Sequence, residues 1–438
     1  APRGPLPMEP HVSTVWAIGD LHADAHCARA WVRRTQVVNG LTPGSRPDEW
    51  EWADPYAVLV FMGDYIDKGP HARSTLNFVR RLNERFGDER VRAILGNHEV
   101  NLLVDRAAPD GTNVGGPSAS DNHVYSETSH SSCSGSGYRY LNYAYASAHP
   151  AQYAEWVVPR HLSNGSASPG HDANMHRVSE LLLEALDKLY ANGGYDPRSV
   201  LITPSGRTSI TRHVPKEDRQ LVALELARWQ AAYLEGVGPD TQEGRWLATR
   251  PLTVRVDDLV FVHGGVHPTA TQAELDEINT AFAETLLPST DLGALEQLLS
   301  ERPEIRELVE DRRLHKSCNR VQRALASLNA TLIAVGHTPD YSVRSTCQNG
   351  LLALDSSLSR WFRSSGNFYC SGTWIEARRP DEFCPRMSRR CEGQVVRMQR
   401  GSSLDAWKIE YIGMDESDEH VAPVGEDLAT ATMREELR

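Results

Sequence analysis

The stretch Val58-Leu-Val-Phe-Met-Gly-Asp64 is an apolar run that ends in a glycine and a metal-binding side chain. Four other apolar stretches also end in a metal-binding side chain beside a glycine. They are Val15-Trp-Ala-Ile-Gly-Asp20-Leu-His22, Val91-Arg-Ala-Ile-Leu-Gly-Asn97-His98, Leu259-Val-Phe-Val-His263-Gly-Gly265 and Leu332-Ile-Ala-Val-Gly-His337. Each run is short, rich in β-branched residues and bounded by glycine, which predicts a buried strand. In layered α/β folds, sites gather beyond the carboxyl ends of the strands. Five endings that present only Asp, His and Asn therefore predict a shared metal site.

The order of elements along the chain favours an α/β fold. Amphipathic helices are predicted near residues 25–38 and 72–86, so strands and helices alternate. We expect a catalytic domain formed by residues 12–100 and 244–411, with closing strands near 350–355, 372–376 and 407–411. Residues 1–11 are predicted to be a flexible lead and residues 412–438 an acidic, disordered tail. Residues 101–243 form a large insertion between site strands, and such insertions commonly act as lids or substrate-selecting elements.

Composition narrows the class of protein. The chain has 438 residues and a net charge of −12, which argues against a nucleic-acid partner because phosphate backbones select basic surfaces. No apolar stretch is long enough to span a bilayer. Five of the seven cysteines lie in the last third of the chain, which indicates disulfides and slightly favours a periplasmic or secreted protein. Ordinary thiols in a cytoplasmic enzyme are the alternative.

The residue types at the strand ends suit two transition-metal ions. Carboxylates, imidazoles and one amide oxygen fit Mn, Fe or Zn better than Ca or Mg. The first ion is expected to bind Asp20, His22 and Asp64, and the second to bind Asp64, Asn97, His263 and His337. Asp64, on the second strand, is the natural bridge. Two ions about 3.5–4 Å apart clamp an in-line phosphoryl displacement and lower the pKa of a bridging water, which supplies hydroxide at neutral pH.

His98 follows a predicted ligand directly, so its side chain is expected to leave the chain on another side than Asn97. It is therefore a candidate for the general acid that protonates the leaving alkoxide. Asp67, three residues beyond the bridging Asp64, is expected to orient the His98 imidazole and favour its charged form. Lys68 adds a cation where the phosphate is expected to lie.

These residues resemble the phosphoprotein phosphatase family of calcineurin-like metallophosphoesterases. The family pattern GDxHG, GDxxDRG, GNHE, HGG and GH appears here, in order, as 19–23, 63–69, 96–99, 263–265 and 336–337. Residues 244–268 and 336–339 look most like the bacterial Shewanella-like protein phosphatase branch. The resemblance covers about residues 12–100 and 244–360. It implies a two-sheet β-sandwich flanked by helices, the same dinuclear ligands, His98 as general acid and Asp67 as its partner.

The resemblance also implies two arginines that hold the phosphate, and here the chain departs from the pattern. The first arginine is replaced by Lys68, which keeps the charge but loses the bidentate fork. The second matches Arg312, with Arg313 as the fallback, although the tryptophan expected nearby is missing. Ala23 replaces a glycine, and its methyl group either crowds the metal edge or only reshapes the turn.

The sequence is compatible with three functions. The leading hypothesis is a metal-dependent phosphomonoester hydrolase, a protein phosphatase acting on phosphotyrosine, phosphoserine or phosphothreonine in a phosphoprotein or phosphopeptide. The second is a nucleotide or dinucleoside polyphosphate phosphohydrolase, because the motifs specify phosphate chemistry and not the group attached. The third is a catalytically weak protein that only binds phosphorylated ligands. Two of these residues also have a simpler interpretation: Asp67 as a helix N-cap and Glu99 as a structural residue.

Overall fold

The computed structural model describes residues 12–42, 44–106, 150–153, 155–157, 177–178, 180–182, 184, 214–286, 292–361, 391–401 and 407–415. The strands are β1 (Thr14–Ile18), β2 (Val38–Asn39), β3 (Glu51–Trp52), β4 (Ala57–Phe61), β5 (Val91–Ala93), β6 (Thr253–Val256), β7 (Leu259–Val262), β8 (Leu332–Val335), β9 (Arg344–Thr346), β10 (Leu351–Ala353), β11 (Gln394–Arg400) and β12 (Trp407–Gly413). The helices are α1 (Ala25–Thr35), α2 (Ala72–Phe86), α3 (Asn97–Arg106), α4 (Arg219–Gly236), α5 (Gln242–Ala248), α6 (Gln272–Leu286), α7 (Leu292–Glu301), α8 (Glu304–Glu310) and α9 (Cys318–Leu328).

Two five-stranded sheets form the centre of the molecule. The first has the order β12-β11-β1-β4-β5 and the second the order β6-β7-β8-β10-β9. β1, β4 and β5 run parallel, as do β7, β8 and β10. The carboxyl ends of parallel strands meet at one edge of their sheet, which places the polar strand endings side by side.

Alternation along the strands assigns each side chain to one of two cores. In β1, Val15 and Ala17 belong to a buried cluster shared by the two sheets, which also contains Phe261 and Ala334 from β7 and β8. Trp16 and Ile18 point the other way, into the larger cluster that the helices cover. The helices therefore flank a sandwich of two sheets, and the predicted α/β sandwich is confirmed.

The structure differs from the strand predictions at several elements. The chain reaches Asn97 not on a strand but in the first turn of α3, because β5 ends at Ala93. β11 was not predicted, since its buried residues are adjacent rather than strictly alternating and it carries Arg397 and Arg400. The strand expected at 372–376 lies outside the described residues.

Among the described residues, two disulfides connect elements that are distant in the sequence. Cys27 in α1 is bonded to Cys391, just before β11, and Cys318 in α9 is bonded to Cys347. The first bond closes a separation of 364 residues and the second one of 29. Among the described helices, none combines the length and apolar character that crossing a bilayer requires.

Candidate metal centre

The structure brings the predicted ligands together at one edge of the sandwich. His22 and Asp64 follow β1 and β4, His263 and His337 follow β7 and β8, and Asn97 begins α3. Two groups have ligand atoms within 4.8 Å of one another: His22, Asp64 and His98, and Asp64, His263 and His337. Asp64 belongs to both groups, as a bridging carboxylate must.

The distances centre on Asp64. Its Oδ2 atom lies 3.3 Å from Nε2 of His263, 3.8 Å from Nε2 of His22 and 3.7 Å from Nε2 of His98. Oδ1 of Asn97 lies 3.2 Å from Nε2 of His263 and 2.9 Å from Nδ1 of His337. His263 donates from Nδ1 to the carbonyl of Met62 at 2.6 Å, which fixes the ring and leaves Nε2 facing Asp64.

Asp20 lies on the side of the second group. Its Oδ2 atom accepts a hydrogen bond from the backbone N–H of His337 at 3.1 Å. Its Oδ1 atom is buried and accepts no hydrogen bond from any donor in the described part of the chain. His98, rather than Asp20, completes the group around His22, which differs from the grouping expected from the sequence.

Asp355 is a further carboxylate at this edge. It follows β10, and its Oδ2 atom is likewise buried without a hydrogen-bond donor among the described residues. Burial and the nearby Asp355 carboxylate raise the pKa of Asp20 well above its usual value. Burial also raises the pKa of Asp355, to about 7. Asp20 and Asp355 thus each have one buried oxygen without a donor among the described residues, and a cation bound there would stabilise their charged forms.

Two motif glycines are explained by the close approach of ligand side chains. A Cβ atom at Gly96 would lie 2.1 Å from Oδ1 of Asp64, and one at Gly336 would lie 2.5 Å from Oδ1 of Asp20. Any larger residue at these positions would push a carboxylate out of place. These two glycines thus leave room for the carboxylates of Asp64 and Asp20.

The backbone of the site is held in an unusual conformation. Asp64, Asp67 and His337 have φ of 52°, 65° and 61°, in the left-handed region that residues other than glycine rarely adopt. Glu99 stabilises the turn around Asp64: its carboxylate accepts from the N–H groups of Asp64 at 2.8 Å, Tyr65 at 2.7 Å and Gly96 at 2.9 Å. These contacts give Glu99 the structural role weighed for it.

His98 is paired with Asp67, as expected. Nδ1 of His98 lies 2.7 Å from Oδ2 of Asp67, and both side chains are buried. Burial lowers the pKa of His98, but the carboxylates of Asp64 and Asp67 outweigh it, so the pKa lies above its usual value. Asp67 is not a helix N-cap, because α2 begins after His71.

Burial and neighbouring charges shift the pKa values of the site residues in opposite directions. Burial lowers the pKa of His263, but Asp64 and Asp20 outweigh it and raise that pKa to about 10. Burial raises the pKa of Asp64, yet His263 and His98 hold it well below its usual value. Burial lowers the pKa of Lys68 to about 8 against the opposing pull of Asp67 and Asp64.

The two candidate arginines are separated by the structure. Arg312 donates from its guanidinium to the carbonyl of His337 at 3.2 Å, at the metal edge. Arg313 instead forms ion pairs with Asp311 and Glu307 and is half-exposed. Only Arg312 has its guanidinium at the site. The methyl group of Ala23 lies in the hydrophobic core, where the residue adopts a φ of 52°.

The residues present fit a pair of divalent ions. The bridging position of Asp64, the histidine nitrogens that face it and the buried oxygen of Asp20 form a mixed nitrogen and oxygen donor set. Such a set is suited to Mn, Fe or Zn. The described residues that face one another here therefore include candidate ligands for two ions.

Residues 13–208 match the family model described as calcineurin-like phosphoesterase. Over this range the chain is similar to calcineurin-like phosphoesterases. The matched range contains Asp20, His22, Asp64, Asn97 and His98, and the structure adds His263 and His337 to the same edge.

Curated relatives match a short part of the chain. A symmetrical bis(5'-nucleosyl)-tetraphosphatase of Janthinobacterium is 47% identical over 90 residues, which is 20% of this chain and 26% of that protein. An uncharacterized protein of Schizosaccharomyces pombe is 36% identical over 90 residues, which is 20% of this chain and 25% of that protein. The chain thus spans about a quarter of the length of these relatives.

Solved structures of phosphatases are similar at low identity. A cold-active protein tyrosine phosphatase of a Shewanella species has 14% identity and a TM-score of 0.46, with 93% of this chain and 83% of that chain covered. A protein serine/threonine phosphatase of Saccharomyces cerevisiae has 12% identity and a TM-score of 0.38, with 94% and 82% covered.

Sequence reasoning missed two side chains of the site. Asp355 ends a sixth apolar strand, and the strand was predicted, so its final carboxylate was a readable signal. Gln152 donates from Nε2 to Oδ1 of Asp67 at 3.0 Å, and no motif around it identifies it.

Proposed function

We propose that this protein is a phosphomonoester hydrolase that uses two divalent ions of Mn, Fe or Zn. One observation carries the proposal: the bridging carboxylate Asp64 lies within 4 Å of Nε2 of His98, whose Nδ1 is bonded to Asp67. The candidate metal ligands thus lie next to an imidazole that is hydrogen-bonded to a carboxylate. This arrangement suits hydrolysis of a phosphate ester. The ions, when bound, would activate a water molecule for direct attack and polarise the phosphate oxygens.

The chain's own residues then have separate tasks. Asp20, His22, Asp64, Asn97, His263 and His337 would hold the ions. The ammonium of Lys68 and the guanidinium of Arg312 would neutralise the phosphate oxygens and orient the ester. His98 would give the proton on Nε2 to the departing oxygen while Nδ1 stays bonded to Asp67. No group of the chain forms a covalent bond to phosphorus in this scheme.

The substrate we favour is a phosphorylated protein or peptide. Serine, threonine and tyrosine leave as strongly basic alkoxides or phenoxides, so their departure gains most from a general acid. When a dinucleoside polyphosphate is cleaved, the departing nucleoside phosphate is already a stable anion near neutral pH and gains less. The buried pair of His98 and Asp67 therefore supports an ester with a poor leaving group.

A nucleotide substrate is the second candidate, because of the 47% identity over 90 residues to a symmetrical bis(5'-nucleosyl)-tetraphosphatase. A panel separates the two: phosphoserine, phosphothreonine and phosphotyrosine peptides against diadenosine tetraphosphate and mononucleotides, each with Mn, Fe, Zn and Mg. We expect the highest kcat/KM on a phosphopeptide with a transition metal. Higher kcat/KM on the dinucleotide would overturn the substrate assignment and keep the reaction class.

We also propose that the protein acts in an oxidising compartment, the periplasm or outside the cell. The bonds Cys27–Cys391 and Cys318–Cys347 support this, because disulfides persist where thiols are not kept reduced. Alkylation of protein taken from its native cells, followed by peptide mass spectrometry, is the test. Full labelling of all four cysteines before reduction would contradict the proposal.

A further inference from the structure

Gln152 is a buried side chain from the insertion that reaches the acid pair. It lies in a short 3-10 helix, Pro150–Tyr153, and its Nε2 atom donates to Oδ1 of Asp67 at 3.0 Å. Because an ionised carboxylate only accepts hydrogen bonds, the NH₂ end of the amide must face Asp67. Its Oε1 atom is buried and has no hydrogen-bond donor in the described part of the chain, so the contact with Asp67 is the one that orients the amide.

The two oxygens of Asp67 are divided between two partners. Oδ2 lies 2.7 Å from Nδ1 of His98, and Oδ1 accepts from Gln152. A carboxylate held at both oxygens cannot rotate without breaking a buried hydrogen bond, which is costly inside a protein. Gln152 thereby fixes the plane of the carboxylate and, through it, the imidazole ring.

The segment that carries Gln152 is docked firmly on the catalytic domain. Three residues further on, Glu155 accepts from the N–H groups of Arg73 at 2.7 Å and Ser74 at 3.2 Å, and from the Ser74 hydroxyl at 2.6 Å. A carboxylate at the positive end of α2 is stabilising. Trp156 packs on Tyr233 of α4 with ring centroids 5.3 Å apart. Contacts of Glu155 and Trp156 with α2 and α4 thus hold in place the segment that brings Gln152 next to Asp67.

We propose that Gln152 is a positioning residue for the general acid. It holds the Asp67 carboxylate so that His98 keeps Nδ1 bonded and points Nε2 towards the departing oxygen. This inference rests on the proposed function and extends it, because part of the insertion then completes the apparatus for leaving-group protonation.

The test compares Gln152→Met, which keeps the length and removes the donor, with the wild type on two substrates. A phosphoserine peptide has a poor leaving group, and p-nitrophenyl phosphate has a good one. We expect kcat on the peptide to fall about tenfold more than kcat on p-nitrophenyl phosphate, because a misaligned acid matters most for the poorer leaving group. KM and metal content should change little.

The matched control is Trp156→Phe, which loosens the same segment without touching Asp67. We expect it to lower thermal stability and to leave the ratio of the two kcat values within twofold of wild type. An equal loss on both substrates in Gln152→Met, or the same change of ratio in Trp156→Phe, would overturn the positioning role.

A second measurement does not depend on turnover. In protein labelled with ¹⁵N-histidine, we expect the Nδ1–H proton of His98 to exchange with water about tenfold faster in Gln152→Met than in wild type, because its acceptor is no longer fixed. Unchanged exchange would contradict the proposal. If wild type hydrolysed neither substrate with any metal, the proposed function would fail, and the exchange rates would still decide the role of Gln152.

Discussion

The two sides of the site are built differently. The metal edge, meaning Asp20, His22, Asp64, Asn97, His263 and His337, is held by strand ends and one helix start of the two-sheet core. The acid side, meaning His98, Asp67 and Gln152, joins the core to a segment of the insertion. The candidate ligands are thus held by the two-sheet core, whereas the alignment that we propose for the general acid depends on a segment of the insertion that carries none of the sequence motifs. Substitutions could then alter metal binding and leaving-group preference separately.

Among the substitutions at the metal edge, Asp64→Asn is expected to have the largest effect on metal binding and turnover. Asp64 is the carboxylate common to both ligand groups, and His22, His98 and His263 face its Oδ2 atom. We expect loss of both ions and a fall in kcat of about a thousandfold, because activation of water and charge neutralisation are lost together. Elemental mass spectrometry and turnover are measured on one preparation. Retention of two ions per chain would show that Asp64 is not the bridge.

Arg312→Ala probes how substrate binds at the metal edge, with Arg313→Ala as its matched control. The guanidinium of Arg312 contacts the carbonyl of His337, whereas Arg313 is engaged with Asp311 and Glu307. Loss of a charge-assisted phosphate contact should lower kcat/KM by about 10–100-fold in Arg312→Ala. Arg313→Ala should stay near wild type. Equal losses in the two variants would remove the assignment of Arg312.

Lys68→Arg is expected to have the smallest effect, a change in how phosphate affinity depends on pH. The pKa of Lys68 is lowered to about 8 by burial, so its positive charge is lost as the pH rises through that value. An arginine stays charged at every pH that enzymes tolerate. We expect the wild type to lose affinity for inorganic phosphate above about pH 8, and Lys68→Arg to keep it. Identical pH profiles of phosphate inhibition would rule out a phosphate-binding role for this charge.

The contrast between the metal edge and the acid side also explains which site residues could be predicted from the sequence. The ligands were predictable because each follows a buried apolar strand and stands near a glycine, and at Gly96 and Gly336 the glycine makes room for a carboxylate. His98 and Asp67 were predictable from their spacing to those ligands. Gln152 was not, because it lies 85 residues from Asp67 along the chain, in an insertion without a recognisable motif.

Other details of the site needed coordinates for a different reason. The grouping of His98 with His22, and the contact of Asp20 with the backbone of His337, depend on side-chain directions that strand periodicity does not specify. The assignment of the phosphate-binding arginine depends on which of the two adjacent side chains is engaged in local ion pairs. Arg313 is paired with Glu307 and Asp311, which leaves Arg312 as the candidate.

The most direct test of the separation between metal edge and acid side is His98→Asn, with metal content and turnover of a phosphoserine peptide measured on the same preparation. Nε2 of His98 lies as close to Asp64 as Nε2 of His22 does, at 3.7 and 3.8 Å, so the two roles of ligand and acid make opposite predictions. We expect two ions per chain, as in wild type, and a kcat lower by about 10²–10⁴-fold, the usual contribution of a general acid. Loss of one ion would make His98 a ligand and contradict the account.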